Sequence, residues 1–434
     1  MNNNTLGTKK FLFISLDALS VDLAWQLVKE GHKVKYYTKE VIEKEVGEGF
    51  ISMVDDWEKE VKWADVIVFD DVLGQGKIAK ELRDKGKAVV GGTPYTDKLE
   101  DDRSFGQEEL KRHGINTIPY REFTSFEEAI KFVEENPGKY VIKPSGEAQN
   151  IKGLLFIGEE DDGKDVIQVL SDYHKAWAKK IPVFQLQKKI TGVEVAVGAF
   201  FNGKEFVYPI HVNFEHKKLF PGNLGPSTGE MGTAAFFSGP NKMFNQTLKK
   251  MEETFAQEKY VGYLDLNCIV NSNGIYPLEF TTRFGYPTIS IQQEGMNIPM
   301  GEFLYGIATG ELNKFKSKSG FQIGVRIVVP PFPFNDNETF QVKSKDSVIF
   351  FKRPTEGVHI EDVKKVNDEW VVTGTSGVVL IVCGTGSTMR QAQNQVYSRI
   401  RNIMIPHMYY RDDIGDRWYE DSDKLHSWGY LREA

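Results

Sequence analysis

The sequence predicts a multidomain protein of mixed α/β and α+β class that begins with a doubly wound parallel sheet. The chain of 434 residues is too long for one hydrophobic core, and this length corresponds to roughly two to four domains. Residues 10–92 alternate strand and helix patterns, whereas residues from 183 onward contain long antiparallel strand patterns. A last block of strands and one helix follows "SKSG" and is typical of a compact α+β domain.

The first domain repeats a strand–helix unit. Its strand patterns are "KFLFISL", "KVKYYT", "ADVIVFDD" and "KAVVGG". An amphipathic helix, "SVDLAWQLVKEG", ends at Gly31 and lies between the first and second strands. A second amphipathic helix, "GKIAKELRDKG", lies between the third and fourth strands. This rhythm predicts a parallel sheet. The turn after the first strand, "SLDALSVD", contains no glycine, so it is not a dinucleotide fingerprint and bound NAD is not expected.

The remaining elements follow in order along the chain. A helix is predicted at "DDRSFGQEELKRHG", then strands at "KYVIKPSG" and "GLLFIG", and a helix at "NKMFNQTLKKMEETFAQE". The segment "YLDLNCIVNSNGIYPLEF" predicts a hairpin that turns at residues 271–274. The last block contains the strands "QIGVRIVVPP", "VIFFK" and "GVVLIVCGTG" and the helix "TMRQAQNQVYSRIRNI".

Composition excludes several classes of function. The net charge of −7 argues against binding a nucleic-acid polymer independently of sequence. Cys268 and Cys383 lie in separate apolar runs and are expected to be reduced core residues rather than a disulfide or a zinc site. No signal-peptide pattern and no apolar run of about 20 residues is present. We therefore expect a cytoplasmic protein without a membrane partner; the oligomeric state is not indicated.

Two segments could bind a nucleotide. Lys143 ends a strand and precedes residues 146–153, a polar loop containing Lys152, so ammonium groups and backbone N–H groups could bind phosphates. The alternative is an ordinary hairpin with solvated lysines. In "FQLQKKITGVE", an open strand edge could hydrogen-bond adenine, and the acidic residue at its end could accept both ribose hydroxyls. The alternative is an edge strand protected by lysines.

Two further segments could bind substrate or metal. The segment "HVNFEHKKLFPGNLGPSTGEMG" has too many glycines for a strand and predicts a loop that offers amides and hydroxyls to an anion; the alternative is a long surface turn. In "YPLEFTTRFGYP", Glu279 and Thr281 share one strand face, and Asn267 on the preceding strand is expected to face them. Such a set suits Mg²⁺ bound with phosphates, and the alternative is a surface glutamate.

In this order, the segments resemble the phosphoribosylamine–glycine ligase (glycinamide ribonucleotide synthetase) family of purine synthesis, in the ATP-grasp superfamily. "GGTPYTDKLEDDRSFGQEELKRHGI" is similar to the family's "LEGSK" followed by a helix ending in "RHGI". "EHKKLFPGNLGPSTGEMG" is similar to "DHKR…TGPNTGGMG", and "LEFTTRFGYP" to "LEFNxRFGDP". "MYYRDDIGDRW" is similar to the closing "RKDIGxR". The resemblance covers residues 93–418.

The resemblance implies an ATP-grasp fold and a reaction. The implied domains are an N-terminal α/β domain (1–101), a linker helix with a small lid (102–184), a central ATP-grasp domain (185–317) and a C-terminal α+β domain (318–434). The implied reaction joins a carboxylate to an amine: ATP phosphorylates the carboxylate, and the amine attacks the acyl phosphate. The implied partners are therefore small molecules, namely ATP, an amino acid such as glycine and an amine, together with Mg²⁺.

The resemblance also implies roles for individual residues. The implied ATP contacts are Arg103, Lys143, Lys152, Gln187, Lys188, Ile190 and Glu194. The implied metal ligands are Glu279, Thr281 and Asn267. The implied substrate-side residues are Glu215, Gly225, Ser227, Thr228 and Arg283. Arg283 and Lys217 are the implied catalytic residues, with Arg283 facing anionic groups of the substrate.

The departures from the family concentrate on the amine side. The family's glycine-rich "GxGGREHA" is replaced by "SLDALSVD", and its "GPE" by "FDDVLG". Glu230 adds an acid, Tyr286 and Thr288 replace two acids, and Thr281 replaces an asparagine ligand. The leading hypothesis is an ATP- and Mg²⁺-dependent carboxylate–amine ligase that resembles the family's own enzyme, which joins glycine to phosphoribosylamine. Because ATP-side residues are retained and the losses lie on the amine side, one alternative is a ligase that joins glycine or another amino acid to a different amine, such as a modified nucleotide. The other alternative is a non-catalytic nucleotide-binding protein.

Overall fold

The structure is a computed structural model that describes residues 6–145, 148, 154–354 and 356–432. Its N-terminal domain is the predicted parallel sheet, with strand order β2-β1-β3-β4. Its elements are β1 (Lys10–Ser15), α1 (Val21–Lys29), β2 (Lys33–Thr38), α2 (Trp57–Glu60), β3 (Val66–Phe69), α3 (Gln75–Asp84) and β4 (Ala88–Val90). The order reverses between β1 and β3, whose carboxyl ends therefore face a crevice.

A helical hairpin and a small lid follow. The elements are α4 (Pro94–Asp101), α5 (Arg103–Arg112), β5 (Tyr120–Phe123), α6 (Phe126–Glu135), β6 (Tyr140–Pro144), β7 (Phe156–Ile157), α7 (Lys164–Trp177) and β8 (Phe184–Lys188). Thr93 caps α4 through its hydroxyl, and Pro94 occupies the first helical position, where its missing N–H is not needed. The lid sheet has the order β5-β8-β6-β7 and its own core around Phe126 and Phe184.

The rest of the chain builds a large antiparallel sheet, smaller two-stranded sheets and their covering helices. The elements are β9 (Val193–Asn202), β10 (Phe206–Phe220), β11 (Leu224–Ser238), α8 (Lys242–Gln246), α9 (Glu252–Gln257), β12 (Val261–Asn271), β13 (Gly274–Thr281), α10 (Thr288–Gly295), α11 (Met300–Thr309), β14 (Phe321–Val328), α12 (Asn337–Lys343), β15 (Phe350–Phe351), β16 (Val358–Ile360), β17 (Val363–Val366), β18 (Glu369–Val372), β19 (Val378–Gly386), α13 (Met389–Ile400), β20 (Ile403–Met404) and α14 (Trp418–Ser427). The sheet order is β13-β12-β9-β10-β11-β14-β19-β16. The sheet includes strands from both sides of the predicted domain boundary between residues 317 and 318, because β11 pairs with β14.

The loop predicted around residues 211–232 is wrong. Residues 211–232 do not form a glycine-rich loop, because they belong to the long hairpin β10–β11, which turns at residues 221–223. The pairing register of β10 and β11 shifts between His216 and Lys218, and this irregularity accommodates the glycine-containing sequence within the hairpin. Gly232 is required there for space: a Cβ atom would lie 2.6 Å from the Gly324 carbonyl oxygen on the neighbouring strand. Tertiary pairing therefore outweighs the low strand propensity of glycine.

Two other predictions concern burial and helix continuity. Cys268 and Cys383 are both buried, as expected of small core residues. The helix predicted across residues 241–258 is broken at Thr247, whose backbone leaves the helical region, so α8 and α9 are separate. Within the described ranges, no helix is both long and apolar enough to cross a membrane.

Candidate functional site

The polar cleft centres on Lys217 of strand β10. Its ammonium lies 3.1 Å from a carboxylate oxygen of Glu194, on β9, and 3.3 Å from oxygens of both Glu215 and Glu279. Burial opposes the charge on Lys217, but the three carboxylates outweigh it and raise its pKa well above the usual value. Three strands thus bring together four residues that lie in three separate segments of the sequence.

Glu279 is the carboxylate that strand β13 presents to this cleft. Its side chain is 53% exposed. Lys217 is the main reason that its pKa falls to about 2; partial desolvation by the surrounding cleft opposes this shift, and Lys143 and Arg103 add to it. Glu279 is therefore ionised throughout the physiological range and faces three cationic side chains.

Two of those cations have no ion-pair partner among the residues that the structure describes. Lys143, at the end of β6, is only 8% exposed, and Arg103 begins α5. Burial and the nearby Arg103 lower the pKa of Lys143 to about 8. Desolvation likewise lowers the pKa of Arg103, although Glu279 partly offsets it. Such desolvated, uncompensated cations suit an incoming polyphosphate.

The structure corrects the expectation of an open edge at the adenine hinge. Strand β8 is interior, because Gln187 pairs with both Tyr120 on β5 and Val141 on β6. The backbone N–H of Lys188 donates to Pro119 at 2.9 Å. Among the three predicted hinge residues, only Ile190 lies beyond the end of the strand.

Glu194, the predicted ribose contact, is already engaged within the cleft. The side-chain amide of Asn267 donates to its carboxylate at 3.1 Å. Burial opposes ionisation of Glu194, but Lys217 and this hydrogen bond keep its pKa below the usual value. The predicted phosphate contact Lys152 lies outside the described residues.

The predicted metal ligands form a set that fits Mg²⁺ accompanied by a nucleotide. Asn267 pairs directly with Glu279 across β12 and β13, and Thr281 follows on the same face as Glu279. The Asn267 amide nitrogen donates to Glu194, so its amide oxygen is the atom that could face a cation. One carboxylate and two neutral oxygens suit a cation that obtains its other ligands from phosphates and water. Within the described ranges, no cluster of three or more His, Cys, Asp or Glu side chains is arranged to hold a metal by itself.

The substrate-side hairpin mainly supports Lys217. The Thr228 hydroxyl donates to the Lys217 carbonyl at 2.9 Å, and Ser227 pairs with Lys218 across β10 and β11. Gly225 lies near the hairpin tip with a φ of +79°, where a side chain would be strained and would also clash with the Phe220 ring. The structure therefore uses these residues to position a cation.

Arg283 follows strand β13 and faces the N-terminal domain. Its guanidinium lies 3.3 Å from Asp71 and 3.1 Å from Glu100, and it donates to the Phe284 carbonyl at 2.9 Å. These two carboxylates outweigh burial and raise its pKa. The Tyr286 hydroxyl, one of the departures from the family pattern, donates to the Asp70 carbonyl at 3.1 Å. These acidic partners were not predicted from the sequence.

The carboxyl ends of β1 and β3 are acidic where the family carries its glycine-rich loop. Asp70 is fully buried and accepts a 2.6 Å hydrogen bond from Ser20, while its other carboxylate oxygen has no partner. Burial is the main reason that the pKa of Asp70 rises to about 7. Repulsion from Asp71 contributes to this shift and also helps to raise the pKa of Asp17.

Two arginines of the closing motif were not among the predicted site residues. Arg417 donates to the backbone carbonyls of Glu215, at 3.0 Å, and Glu194. Arg411 is fully buried, forms a bidentate pair with Asp413, and donates to the Lys218 carbonyl at 2.8 Å. Both therefore brace the strands that carry the cleft residues. Both arginines belong to the motif "MYYRDDIGDRW", which could have indicated them from the sequence.

A cavity of about 300 Å³ adjoins the cleft. It lies between helix α5 and strand β13, and its polar walls include Arg103, Gln107, Glu279 and Arg283. It connects the cationic side of the cleft with the acidic groups of the N-terminal domain.

Two models of one family match the chain. The phosphoribosylglycinamide synthetase ATP-grasp (A) domain matches residues 101–289, and the C domain of the same synthetase matches residues 330–417. Together these matches span more than half of the chain. They include the cleft residues between Arg103 and Arg283 and the bracing arginines.

Sequence and structure comparisons agree with this match. A phosphoribosylamine–glycine ligase of Clostridium acetobutylicum is 25% identical over 353 residues, covering 78% of this chain and 81% of that protein. The phosphoribosylamine–glycine ligase of Streptococcus pneumoniae is 24% identical, and the match covers 80% of this chain and 82% of that protein. A phosphoribosylamine–glycine ligase from Thermotoga maritima superposes with a TM-score of 0.69 at 21% identity, over 93% of this chain and 100% of the other.

A more distant structure shares the fold. The biotin carboxylase domain of Hydrogenobacter thermophilus 2-oxoglutarate carboxylase, solved with MgADP, ADP and bicarbonate, superposes with a TM-score of 0.62 at 14% identity. The match covers 98% of this chain and 99% of the other. The predicted ATP-grasp fold is therefore confirmed.

Proposed function

This chain belongs to the phosphoribosylglycinamide synthetase family, and we propose that it is an ATP- and Mg²⁺-dependent carboxylate–amine ligase that forms an amide through an acyl phosphate. Glycine and phosphoribosylamine, for which the relatives are named, are the first substrates to test. The observation that carries the proposal is the convergence of Arg103, Lys143 and Lys217 on Glu279 in one cleft. This arrangement suits the positioning and neutralisation of a transferring phosphoryl group.

The side chains of the cleft have different roles in this proposal. Arg103 and Lys143, both short of partners, would bind the phosphates of ATP. Glu279, Asn267 and Thr281 would hold Mg²⁺, which supplies charge neutralisation between the phosphates. Ile190 would contact adenine by its backbone, and Glu194 would accept the ribose hydroxyls; the other predicted ATP residues, Lys152, Gln187 and Lys188, would line the same site.

The chemistry consists of two displacements. A carboxylate oxygen of the amino acid attacks the γ-phosphorus, the bond to the β-phosphate oxygen breaks, and ADP leaves. The amine nitrogen then attacks the acyl carbon, the carbon–oxygen bond to phosphate breaks, and phosphate leaves while the amine loses a proton. Lys217 would neutralise the transferring group. Arg283 would orient the acceptor, and Glu215, Gly225, Ser227 and Thr228 would support the substrate side.

A second candidate acceptor is an amine without a phosphate group. Asp17, Asp70 and Asp71 lie at the carboxyl ends of β1 and β3, and Glu100 lies beside Asp71 through their shared partner Arg283. A negative field of this kind disfavours a phosphate and favours a protonated amine.

The direct test is phosphate release from purified protein with MgATP, first with glycine and then with freshly generated phosphoribosylamine. Release that requires both substrates supports the family's reaction. Release with glycine and another amine, but not with phosphoribosylamine, supports the second candidate. ATP binding without turnover across the amine panel would contradict the ligase proposal and favour a non-catalytic nucleotide-binding protein.

A further inference from the structure

Glu230 of strand β11 is a buried acid that has no role in the reaction so far. It is one of the departures from the family pattern, and its side chain is 6% exposed. The Thr233 hydroxyl donates to one of its carboxylate oxygens. Among the residues that the structure describes, the other oxygen has no hydrogen-bond partner and no ion pair neutralises the carboxylate. A buried carboxylate that is only half engaged can accept a hydrogen bond from a ligand.

On one side, Glu230 borders the residues proposed for phosphoryl transfer. Its hydrogen-bond partner Thr233 pairs directly with Glu215 across β10 and β11. Glu215 in turn lies 3.3 Å from the ammonium group of Lys217. Directly paired residues of an antiparallel sheet place their side chains on the same face, so the Glu230 carboxylate reaches the face that carries Glu215. Glu230 therefore lies beside the place where the acyl phosphate would form.

On the other side, Glu230 borders the acidic crevice of the N-terminal domain. Arg326 of β14 donates to the Glu230 carbonyl at 3.0 Å and to the Tyr286 carbonyl at 2.8 Å. The Tyr286 hydroxyl donates to the carbonyl of Asp70, the residue that follows β3. A Cβ atom at Gly229 would meet only Arg326, at 3.8 Å, so the space beside Glu230 is open. The structure therefore places Glu230 between the crevice and the transfer site.

The surroundings of Glu230 favour its uptake of a proton. Burial is the main reason that its pKa lies above the usual value, and repulsion from Glu215 adds to the shift. Arg326, the Thr233 hydrogen bond and Lys217 oppose it. The charged groups that act on Glu230 thus come from β10 and from β14. A general base is most effective when its pKa lies near the operating pH, and an ordinary glutamate lies well below that.

We propose that Glu230 is the catalytic residue that accepts the proton of the amine, and that the acceptor is a basic primary alkylamine. The assignment rests on the proposed ligase function and adds the substrate class of the second candidate acceptor. An alkylamine, like the lysine side chain, stays protonated up to about pH 10 and cannot attack in that form. The nitrogen of phosphoribosylamine is less basic, because the sugar ring oxygen withdraws electrons, and has less need of a base.

The proton transfer precedes the second displacement. The Glu230 carboxylate takes one proton from the acceptor ammonium, and the neutral nitrogen then attacks the acyl carbon. The carbon–oxygen bond to phosphate breaks, and the second nitrogen proton leaves with phosphate. Glu230 afterwards returns its proton to solvent, so the acid is regenerated as a carboxylate.

The test compares two amines, with MgATP and glycine, on the full-length protein. Methylamine is an ammonium ion at neutral pH, whereas hydroxylamine is largely neutral there and needs no base. Glu230→Gln keeps the size of the side chain and resembles its protonated form, so we expect it to fold. Its rate of methylamide formation should fall about 100-fold or more, and its rate of hydroxamate formation should change by less than about threefold. A merely structural defect would lower both rates.

The pH dependence gives a second readout. Methylamide formation by the wild type should rise with pH and level off once Glu230 is ionised. In Glu230→Gln it should keep rising until methylamine itself loses its proton near about pH 10. Glu230→Asp retains a base and should recover part of the rate, which provides a readout if Glu230→Gln does not fold. Glu369→Gln, exposed on β18, is the matched control and should behave as the wild type does.

The outcomes separate the role of Glu230 from the proposed function. Methylamide and hydroxamate rates that fall together, or that both stay unchanged, in Glu230→Gln would overturn the role of Glu230. Hydroxamate without methylamide in the wild type, or product with phosphoribosylamine alone, would overturn the alkylamine acceptor and leave the ligase standing. Absence of product with all three amines would contradict the ligase itself, and the role of Glu230 with it.

Discussion

At the scale of single residues, the cleft is governed by the balance between three cations and three carboxylates. Glu279 and Lys217 are ionised because each lowers the cost of the other's charge. Lys143 and Arg103 exceed what Glu279 can neutralise and remain without ion-pair partners within the described residues. The cleft therefore holds two cations that no ion pair engages within the described residues, in a protein whose net charge is −7.

Glu279→Gln tests the role of the carboxylate without changing its size. We expect kcat to fall roughly 100-fold or more, because charge stabilisation by a metal contributes several kcal/mol to such reactions. Binding of ATP without Mg²⁺ should not weaken, since the cations lose a competing carboxylate. Phosphate release and calorimetry with and without Mg²⁺ measure both effects. Glu253→Gln, on α9, is the control, and a kcat within twofold of the wild type would refute the assignment of Glu279.

Lys143 should take up a proton when ATP binds near pH 8. Its pKa in the free protein is about 8, so close to half of the molecules carry a neutral amine there. Bound phosphates raise the pKa, and uptake should approach about half a proton at pH 8 and vanish at pH 6.5, where the lysine is already charged. Calorimetry in buffers of different ionisation enthalpy measures this uptake. Equal uptake in Lys143→Met would assign the proton to another group.

At the scale of elements, the cleft depends on the hairpin β10–β11 and on the segment that braces it. The residue types of 211–232 predict a candidate site, but their glycine content predicts a loop where cross-strand pairing forms a hairpin. Pairing partners lie far apart in sequence, so local composition does not reveal them. The bracing by Arg411 likewise joins residues separated by almost 200 positions.

Arg411→Met should loosen this hairpin. The change leaves Asp413 and the Lys218 carbonyl without their donor in a buried place, and we expect a loss of about 3 kcal/mol of unfolding free energy. Urea denaturation measures the loss, and hydrogen exchange should accelerate first in β10 and β11. Arg401→Met, at the exposed end of α13, is the control. Unchanged exchange in the hairpin would show that Arg411 does not brace it.

At the scale of the whole molecule, a buried histidine joins three parts of the chain. His359 of β16 lies 2.7 Å from Asp22 of α1 and 3.3 Å from Glu294 of α10. Burial and the imidazole–carboxylate attraction oppose each other; the attraction prevails, raising the pKa of His359 well above its usual value and lowering that of Asp22. Cys383 also faces the imidazole.

This contact predicts how stability depends on pH. The contribution of His359 is fully present below its unfolded pKa of about 6.5 and is lost as pH rises through the higher folded value. The contribution of Asp22 is present above about 3.9 and is lost as pH falls through its lower folded value. Wild-type stability should therefore decline more between pH 6.5 and 9 than that of His359→Gln. Thermal unfolding across this range measures the difference, and parallel curves would contradict the prediction.

The sequence by itself determined the family, the parallel N-terminal sheet, the hairpin of residues 263–280 and the identity of the cleft residues. These features depend on period-two and helical patterns and on motifs contained within short segments. The division into domains at residues 101, 184 and 317 remains a prediction, although the large sheet crosses the last boundary.

Only the tertiary structure decided which charges meet. Lys217 contacts carboxylates from three different strands, Arg283 is engaged by acids of the N-terminal domain, and Gln107 lines a cavity beside Glu279. Electrostatic energy depends on distance and burial, and neither is a property of a local segment. The sequence therefore specified the chemical groups, and the packing of distant segments specified their partners and protonation.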